Sequence, residues 1–155
     1  MRAAYKFLAF AVAGLVALQA AFMVFAVAGL GIWVDEGNSL TKATMEADEP
    51  PDFTGAIGFM LHGMNGMMLI PLVALVLLIV SFFAKIPGGP KWAGLTLGFV
   101  VLQVALGIFG HESAYIGFLH GINALILFSV AIQAGRNAIA TARAEDTPLE
   151  ASAAL

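Results

Sequence analysis

The chain alternates between four long apolar stretches and short polar connections. The stretches free of Asp, Glu, Lys and Arg cover residues 7–34, 53–84, 92–110 and 113–135. Because a helix crosses the hydrocarbon core of a bilayer with about 20 apolar residues, each stretch predicts one membrane-spanning helix. The predicted helices cover about 7–34, 54–84, 91–110 and 113–137. We therefore expect an all-α integral membrane four-helix bundle as a single domain over 1–143, followed by a flexible cytoplasmic tail over 144–155.

The composition leads to the same class of protein. Of the 155 residues, 61% are hydrophobic and 11% are charged, and the mean hydropathy is +0.94. A soluble domain contains about 45–50% apolar and 25% charged residues. Too few polar side chains are present to cover a water-soluble globule, so the sequence indicates a protein whose main partner is the lipid bilayer.

The cations predict how the helices are oriented. Six of the seven Lys and Arg residues flank one set of span ends: Arg2, Lys6, Lys85, Lys91, Arg136 and Arg143. The positive-inside rule makes that side cytoplasmic, so both termini are expected inside and the chain in the plasma membrane as a multi-pass protein. The acidic connection over 35–52 then forms an outer loop between the first two helices. With a net charge of −3, no basic surface for nucleic acid is expected.

A short internal repeat carries the chemical signal. The second predicted span contains Leu61-His62-Gly63-Met64-Asn65, and the fourth contains Leu119-His120-Gly121-Ile122-Asn123. Both spans run from outside to inside, and each histidine lies about two helical turns, or roughly 10 Å, below the outer end. Two imidazoles at matching depth on parallel helices can approach one object from opposite sides.

Ionisable side chains inside a membrane are rare and usually functional, so His62 and His120 are candidate ligands. The alternative is that each histidine is a packing residue that hydrogen-bonds a neighbouring helix. The object that best suits two imidazoles in an apolar bundle is haem b, with His62 and His120 as the axial ligands of its iron. A zinc or iron–sulfur site is not favoured, because the chain has no cysteine and its predicted spans contain no carboxylate.

Five further residues of the repeats are predicted to contact the cofactor. Gly63, Gly66 and Gly121 are small enough to leave room for a flat macrocycle, although small residues also allow close helix packing. Asn65 and Asn123 follow the histidines by three residues and share their helix face. Their amides could hydrogen-bond the macrocycle edge or a neighbouring backbone carbonyl, and they could equally serve to join helices.

Other polar residues in or near the spans have more ordinary interpretations. His111 and Glu112 lie at the outer end of the third span, where exposed loop residues are the default, but His111 is also the rival iron ligand. Gln19 and Gln103 lie in the middle of the first and third spans, and we interpret them as polar contacts between helices. Pro71 is expected to kink the second helix below His62.

At these residues the sequence resembles the haem A synthase family. The resemblance in motif lies in the third and fourth spans, and it extends over most of the chain in topology. The residues that carry it are Val101-Leu102-Gln103-Val104-Ala105-Leu106-Gly107 and Leu119-His120-Gly121. That family has two four-helix halves, each with histidines in its second and fourth helices that face a haem, and half-size members also occur. The resemblance implies that His62 and His120 occupy those two positions.

The chain departs from the family where the family's chemistry takes place. The catalytic half of the family carries a Glu four residues before the second-helix histidine and an Arg just after it, whereas this chain has Gly58 and Gly63 there. The loop cysteine pair of many members is also missing. The resemblance therefore implies haem binding rather than haem methyl oxidation.

Three functions remain open at this point. The first is a b-type cytochrome-like protein that transfers electrons or holds haem in a respiratory setting, with a quinone or respiratory-complex subunits as partners and with homo-oligomers possible. The second is a non-redox accessory subunit of a membrane complex. The third is a divergent haem A synthase-like enzyme.

Overall fold

The computed structural model describes residues 1–45, 47, 51–110 and 112–146, and within these ranges the only regular elements are helices. Four of them are long and apolar enough to cross a membrane. They are α1 (Arg2–Asp35), α2 (Ile57–Ser81), α3 (Gly89–Phe109) and α4 (Ala114–Asp146). A one-turn helix, Lys42–Met45, lies in the connection from α1 to α2. The expectation of an all-α chain with four such helices is confirmed.

Two of the helix boundaries that differ from the predicted ones have local causes. α2 begins at Ile57 because Gly55 has a φ of +100°, a left-handed conformation that interrupts a helix. α4 continues to Asp146 rather than ending near 137, since the segment after Asn137 is rich in alanine, which has the highest helix propensity. Residues 144–146 of the expected tail are therefore helical, and residues 147–155 lie outside the described residues.

The helices form a closed ring in which α1 and α3 each pack against both α2 and α4. The start of α1, the α2–α3 turn and the end of α4 meet at one end of the bundle. There Tyr5 donates its hydroxyl to the Gly89 carbonyl at 3.1 Å, and Asn137 donates its amide to the Pro87 carbonyl at 2.8 Å. The six cations that flank the spans are therefore attached to elements that meet at this end.

Buried apolar residues fill two regions of the bundle, the end that carries the cations and the middle. Only 17–22% of the most apolar window of each helix is buried, so most of the large apolar side chains face outward. The cluster at the cation-bearing end consists of Tyr5, Ala9, Leu77, Ala84, Ile86, Ala93, Ala134 and Ala138. The middle cluster consists of Val12, Ala13, Val16, Ile70, Ala74, Val100, Leu127 and Ala131. The candidate histidines lie further along the helices, beyond the middle cluster.

The backbone of α2 changes its winding immediately after the His62 repeat. Asn65–Leu69 forms a π-helical segment, and Pro71 follows two residues later. Proline lacks the amide hydrogen that an α-helix needs and its ring crowds the preceding turn, which the wider π turn relieves. Single π turns inside α-helices occur frequently at functional sites. The predicted disturbance of the second helix at Pro71 thus takes the form of a π segment next to the candidate site.

The first part of α2 lies close to α1. Residues Ile57–Met64 pack mainly on α1, whereas Ile70–Ser81 packs on both α1 and α3. A Cβ atom added at Gly58 would lie 2.5 Å from the Phe22 carbonyl oxygen, so α1 approaches the bare backbone of α2. The first part of α2 is therefore held against α1.

This close approach predicts that alanine substitution changes the stability of the bundle in opposite directions at Gly58 and Gly98. In an exposed helix interior, Gly→Ala stabilises by about 1 kcal/mol through helix propensity. Gly58→Ala should instead destabilise the bundle by about 1–3 kcal/mol, because the added methyl overpacks the α1–α2 contact. The measurement is reversible unfolding in mixed detergent micelles.

Gly98→Ala is the matched control. Gly98 lies in α3 with no atom within 4 Å of an added Cβ, so this variant should be neutral or more stable. Equal stability changes in the two variants would show that α1 and α2 do not approach as closely as described.

Candidate functional site

The structure brings the two repeated histidines together across the bundle. The ring centroids of His62 on α2 and His120 on α4 are 6.2 Å apart, and the ring planes are inclined by 52°. Both side chains are half-buried. The pairing is not a stacking contact, since stacked rings would lie nearly parallel. The two imidazoles are instead inclined to each other at close range.

His62 is held by a set of hydrogen bonds between α1 and α2. Its Nδ1 donates to the backbone carbonyl of Gln19 at 3.0 Å, and Gln19 Nε2 donates back to the His62 carbonyl at 2.6 Å. Asn65 Nδ2 donates to Gln19 Oε1 at 2.7 Å and to the Leu15 carbonyl at 3.1 Å. We refer to Gln19, His62 and Asn65 as clamp 1.

The same set of bonds recurs between α3 and α4. His120 Nδ1 donates to the Gln103 carbonyl at 3.1 Å, and Gln103 Nε2 donates to the His120 carbonyl at 3.0 Å. Asn123 Nδ2 donates to Gln103 Oε1 at 2.6 Å and to the Phe99 carbonyl at 3.0 Å. We refer to Gln103, His120 and Asn123 as clamp 2. These four hydrogen bonds use equivalent atoms on equivalent helix pairs, so the bundle contains two copies of one helix-pair arrangement.

The clamps determine where each imidazole carries its proton. A backbone carbonyl can only accept a hydrogen bond, so Nδ1 of His62 and Nδ1 of His120 must each carry the hydrogen. In the neutral ring Nε2 then keeps its lone pair, which is the form in which imidazole binds a metal. A backbone carbonyl on the far nitrogen is a usual partner of a metal-binding histidine, because it fixes the ring orientation and raises its basicity.

The donor set suits a metal held in a macrocycle better than a bare ion. Within the described residues there is no group of three or more His, Cys, Asp or Glu side chains that could hold a metal ion. A haem iron needs only one or two axial ligands from the protein. With metal–nitrogen bonds of about 2 Å on both sides, two imidazole centres lie roughly 6 Å apart, which matches the separation of His62 and His120. The separation of the two rings is therefore compatible with one metal between them.

The other predicted contact residues take different places. Asn65 and Asn123 are buried and their amide nitrogens bond the neighbouring helix, which is one of the two arrangements left open for them. A Cβ atom added at Gly66 would collide with the Gln19 amide, whereas nothing lies within 4 Å of one at Gly63 or Gly121. Gly66 therefore admits the clamp, and Gly63 and Gly121 leave open space beside the histidines.

The rival ligand cannot be placed. His111 lies outside the described residues, and its neighbour Glu112 is exposed in the α3–α4 turn. This turn is tight, because an added Cβ at Gly110 would lie 3.8 Å from the Cα of Gly117.

For two residues of the site, Gln19 and Gln103, the sequence predicts only polar contacts between helices. The structure shows that they supply both the carbonyl that holds each histidine and the amide that returns the bond. A sequence signal for this exists: Gly14-Leu15-Val16-Ala17-Leu18-Gln19-Ala20-Ala21 and Gly98-Phe99-Val100-Val101-Leu102-Gln103-Val104-Ala105 share Gly, Val, Leu, Gln and Ala at matching positions. A sequence repeat thus relates α1 to α3, just as another relates α2 to α4.

Comparison with known proteins adds no relative. No family model, no curated protein and no solved structure matches the chain. Any functional conclusion therefore depends on the two clamps and on the position of the histidines between them.

The clamp predicts an energetic coupling between Gln19 and Asn65. Removing one partner leaves the other unsatisfied in an apolar setting, while removing both avoids that penalty. In a double-mutant cycle with Gln19→Leu and Asn65→Leu, each single variant should lose about 1–2 kcal/mol of stability. The coupling energy should be about 1 kcal/mol, within the range for hydrogen bonds inside membranes.

The control for this cycle is Ser129→Ala. Ser129 donates its hydroxyl to the Leu125 carbonyl of its own helix at 2.8 Å, so its loss should leave stability nearly unchanged. Strictly additive effects of the Gln19 and Asn65 substitutions would contradict the clamp.

Proposed function

We propose that this chain is a b-type haem-binding membrane protein in which His62 and His120 are the two axial ligands of one haem near the outer face of the bilayer. Its role is electron transfer or haem holding in a respiratory setting, with a quinone or a respiratory-complex subunit as partner. The orientation that goes with it has both termini in the cytoplasm and the chain in the plasma membrane. The observation that carries the proposal is the 6.2 Å separation of the two rings.

The chain's own groups would perform three tasks. The Gln19 and Gln103 carbonyls hold the rings in the tautomer that presents Nε2. The apolar helices surround the rings, and the glycines that follow the histidines, Gly63 and Gly121, add no side chain there. When bound, haem supplies one-electron redox chemistry. His62 and His120 would hold it, and as long as both are bound they would leave no open coordination position, which favours electron transfer over oxygen chemistry.

The proposed kinship is with the haem A synthase family, without its haem-oxidising activity. Where that family has a catalytic Glu, this chain has Gly58, and an added Cβ there would lie 2.5 Å from the Phe22 carbonyl oxygen and 3.0 Å from the Ala26 Cβ. A carboxylate side chain has no space at this position unless α1 moves away. The absence of the Glu is thus tied to how the helices pack, which supports a haem-holding role over a haem-modifying one.

The absorption spectrum of the purified protein tests the proposal. After expression with added haem precursor, the dithionite-reduced protein should show the sharp bands of low-spin haem b with two histidine ligands. His62→Ala and His120→Ala should each abolish these sharp bands. His111→Ala is the matched control and should leave them intact, and the extracted cofactor should have the mass of unmodified haem b.

Each of the other outcomes would contradict a specific part of the proposal. A colourless protein would exclude haem binding altogether. Loss of the bands in His111→Ala but not in His120→Ala would show that the ligand pair is wrong. A modified haem in the extract would indicate an enzyme.

A further inference from the structure

The two clamps differ at one atom, the Nε2 of each histidine. Gln103 Nε2 lies 3.1 Å from His120 Nε2 in addition to its bond to the His120 carbonyl. In clamp 1 the equivalent Gln19 amide bonds only the His62 carbonyl, and His62 Nε2 has no hydrogen-bond partner among the described residues. Within the part of the chain that the structure describes, the lone pair of His62 is therefore not engaged, whereas the lone pair of His120 is.

The orientation of the Gln103 amide follows from its neighbours. Asn123 Nδ2 donates to Gln103 Oε1, so the oxygen of the amide is fixed on the Asn123 side and the NH2 group faces His120. Because His120 Nδ1 carries its hydrogen toward the Gln103 carbonyl, its Nε2 can only accept from that NH2 group. The contact is a hydrogen bond with defined direction, and it occupies the nitrogen that a metal would use.

This difference makes the two histidines unequal as ligands. A metal that binds His120 must displace the Gln103 amide from Nε2, whereas His62 gives up no hydrogen bond. The loss of one such hydrogen bond corresponds to about a two- to tenfold change in the equilibrium constant for binding of the metal by the histidine. His120 is thus the weaker ligand and the one that leaves first.

We propose that His62 is the permanent haem ligand and His120 an exchangeable one, so that a small neutral diatomic molecule such as CO or NO can bind on the His120 side. This inference rests on the proposed function. Gly107 lies beside the His120 ring, and nothing lies within 4 Å of an added Cβ at Gly121, so the ring has bare backbone next to it when it moves. Gln103 and Asn123 carry uncharged amides, which suits a neutral ligand rather than an anion.

The test is a CO titration of the dithionite-reduced, haem-loaded protein, followed by absorption. The wild-type protein should form a CO adduct, and the sharp bands of the form with two histidine ligands should be lost. Gln103→Met removes the competing donor, so His120 should hold iron more tightly and the affinity for CO should fall by about two- to tenfold. If Gln103 had a merely structural role, its loss would loosen His120 and the affinity for CO would rise instead.

Gln19→Met is the matched control, because it removes the same interhelical bonds from clamp 1 without freeing an Nε2. Its affinity for CO should stay within about twofold of wild type. A second pair of variants identifies the ligand that leaves: His120→Gly should retain haem and bind CO, whereas His62→Gly should lose haem.

Three results would overturn the inference while leaving the proposed function intact: a low-spin protein that takes up no CO, equal changes in Gln103→Met and Gln19→Met, or haem retained by His62→Gly and lost by His120→Gly. A protein that takes up no haem at all would overturn both.

Discussion

The arrangement of the outer half of the bundle depends on one interaction, the hydrogen bond from a histidine Nδ1 to a backbone carbonyl of the neighbouring helix. It occurs from His62 to Gln19 and from His120 to Gln103. Interhelical hydrogen bonds in membranes contribute only about 0.6 kcal/mol on average, so neither bond accounts for the stability of the bundle. Their effect is on geometry. Each bond fixes the orientation of an imidazole ring and selects the tautomer in which Nε2 keeps its lone pair.

Packing along the rest of the helices makes this geometry possible. Buried apolar clusters hold all four helices together at one end and in the middle, where alanines and other small side chains let the backbones approach. Beyond them α2 approaches α1 through the bare backbone at Gly58. The positions of the two histidines therefore follow from this packing together with the hydrogen bonds of the two clamps.

Much of the fold could be predicted because its determinants are local. Apolar stretches and missing charges predict four helices, and the repeated Leu-His-Gly-x-Asn predicts that His62 and His120 approach each other. The start of α2 after Gly55 depends on a positive φ, and the extension of α4 beyond Asn137 depends on helix propensity. A pattern of apolar residues indicates neither. The roles of Gln19 and Gln103 could not be assigned from spacing within one helix, because each bond joins a residue to a different helix. Only the paired repeats, read together, contain that information.

Electron paramagnetic resonance of the oxidised, haem-loaded protein tests whether one haem is held between His62 and His120. We expect a single low-spin ferric species with two imidazole ligands, present at one haem per chain and absent from the His62→Ala/His120→Ala double variant. A high-spin species alone, or a low-spin signal that survives in the double variant, would contradict it.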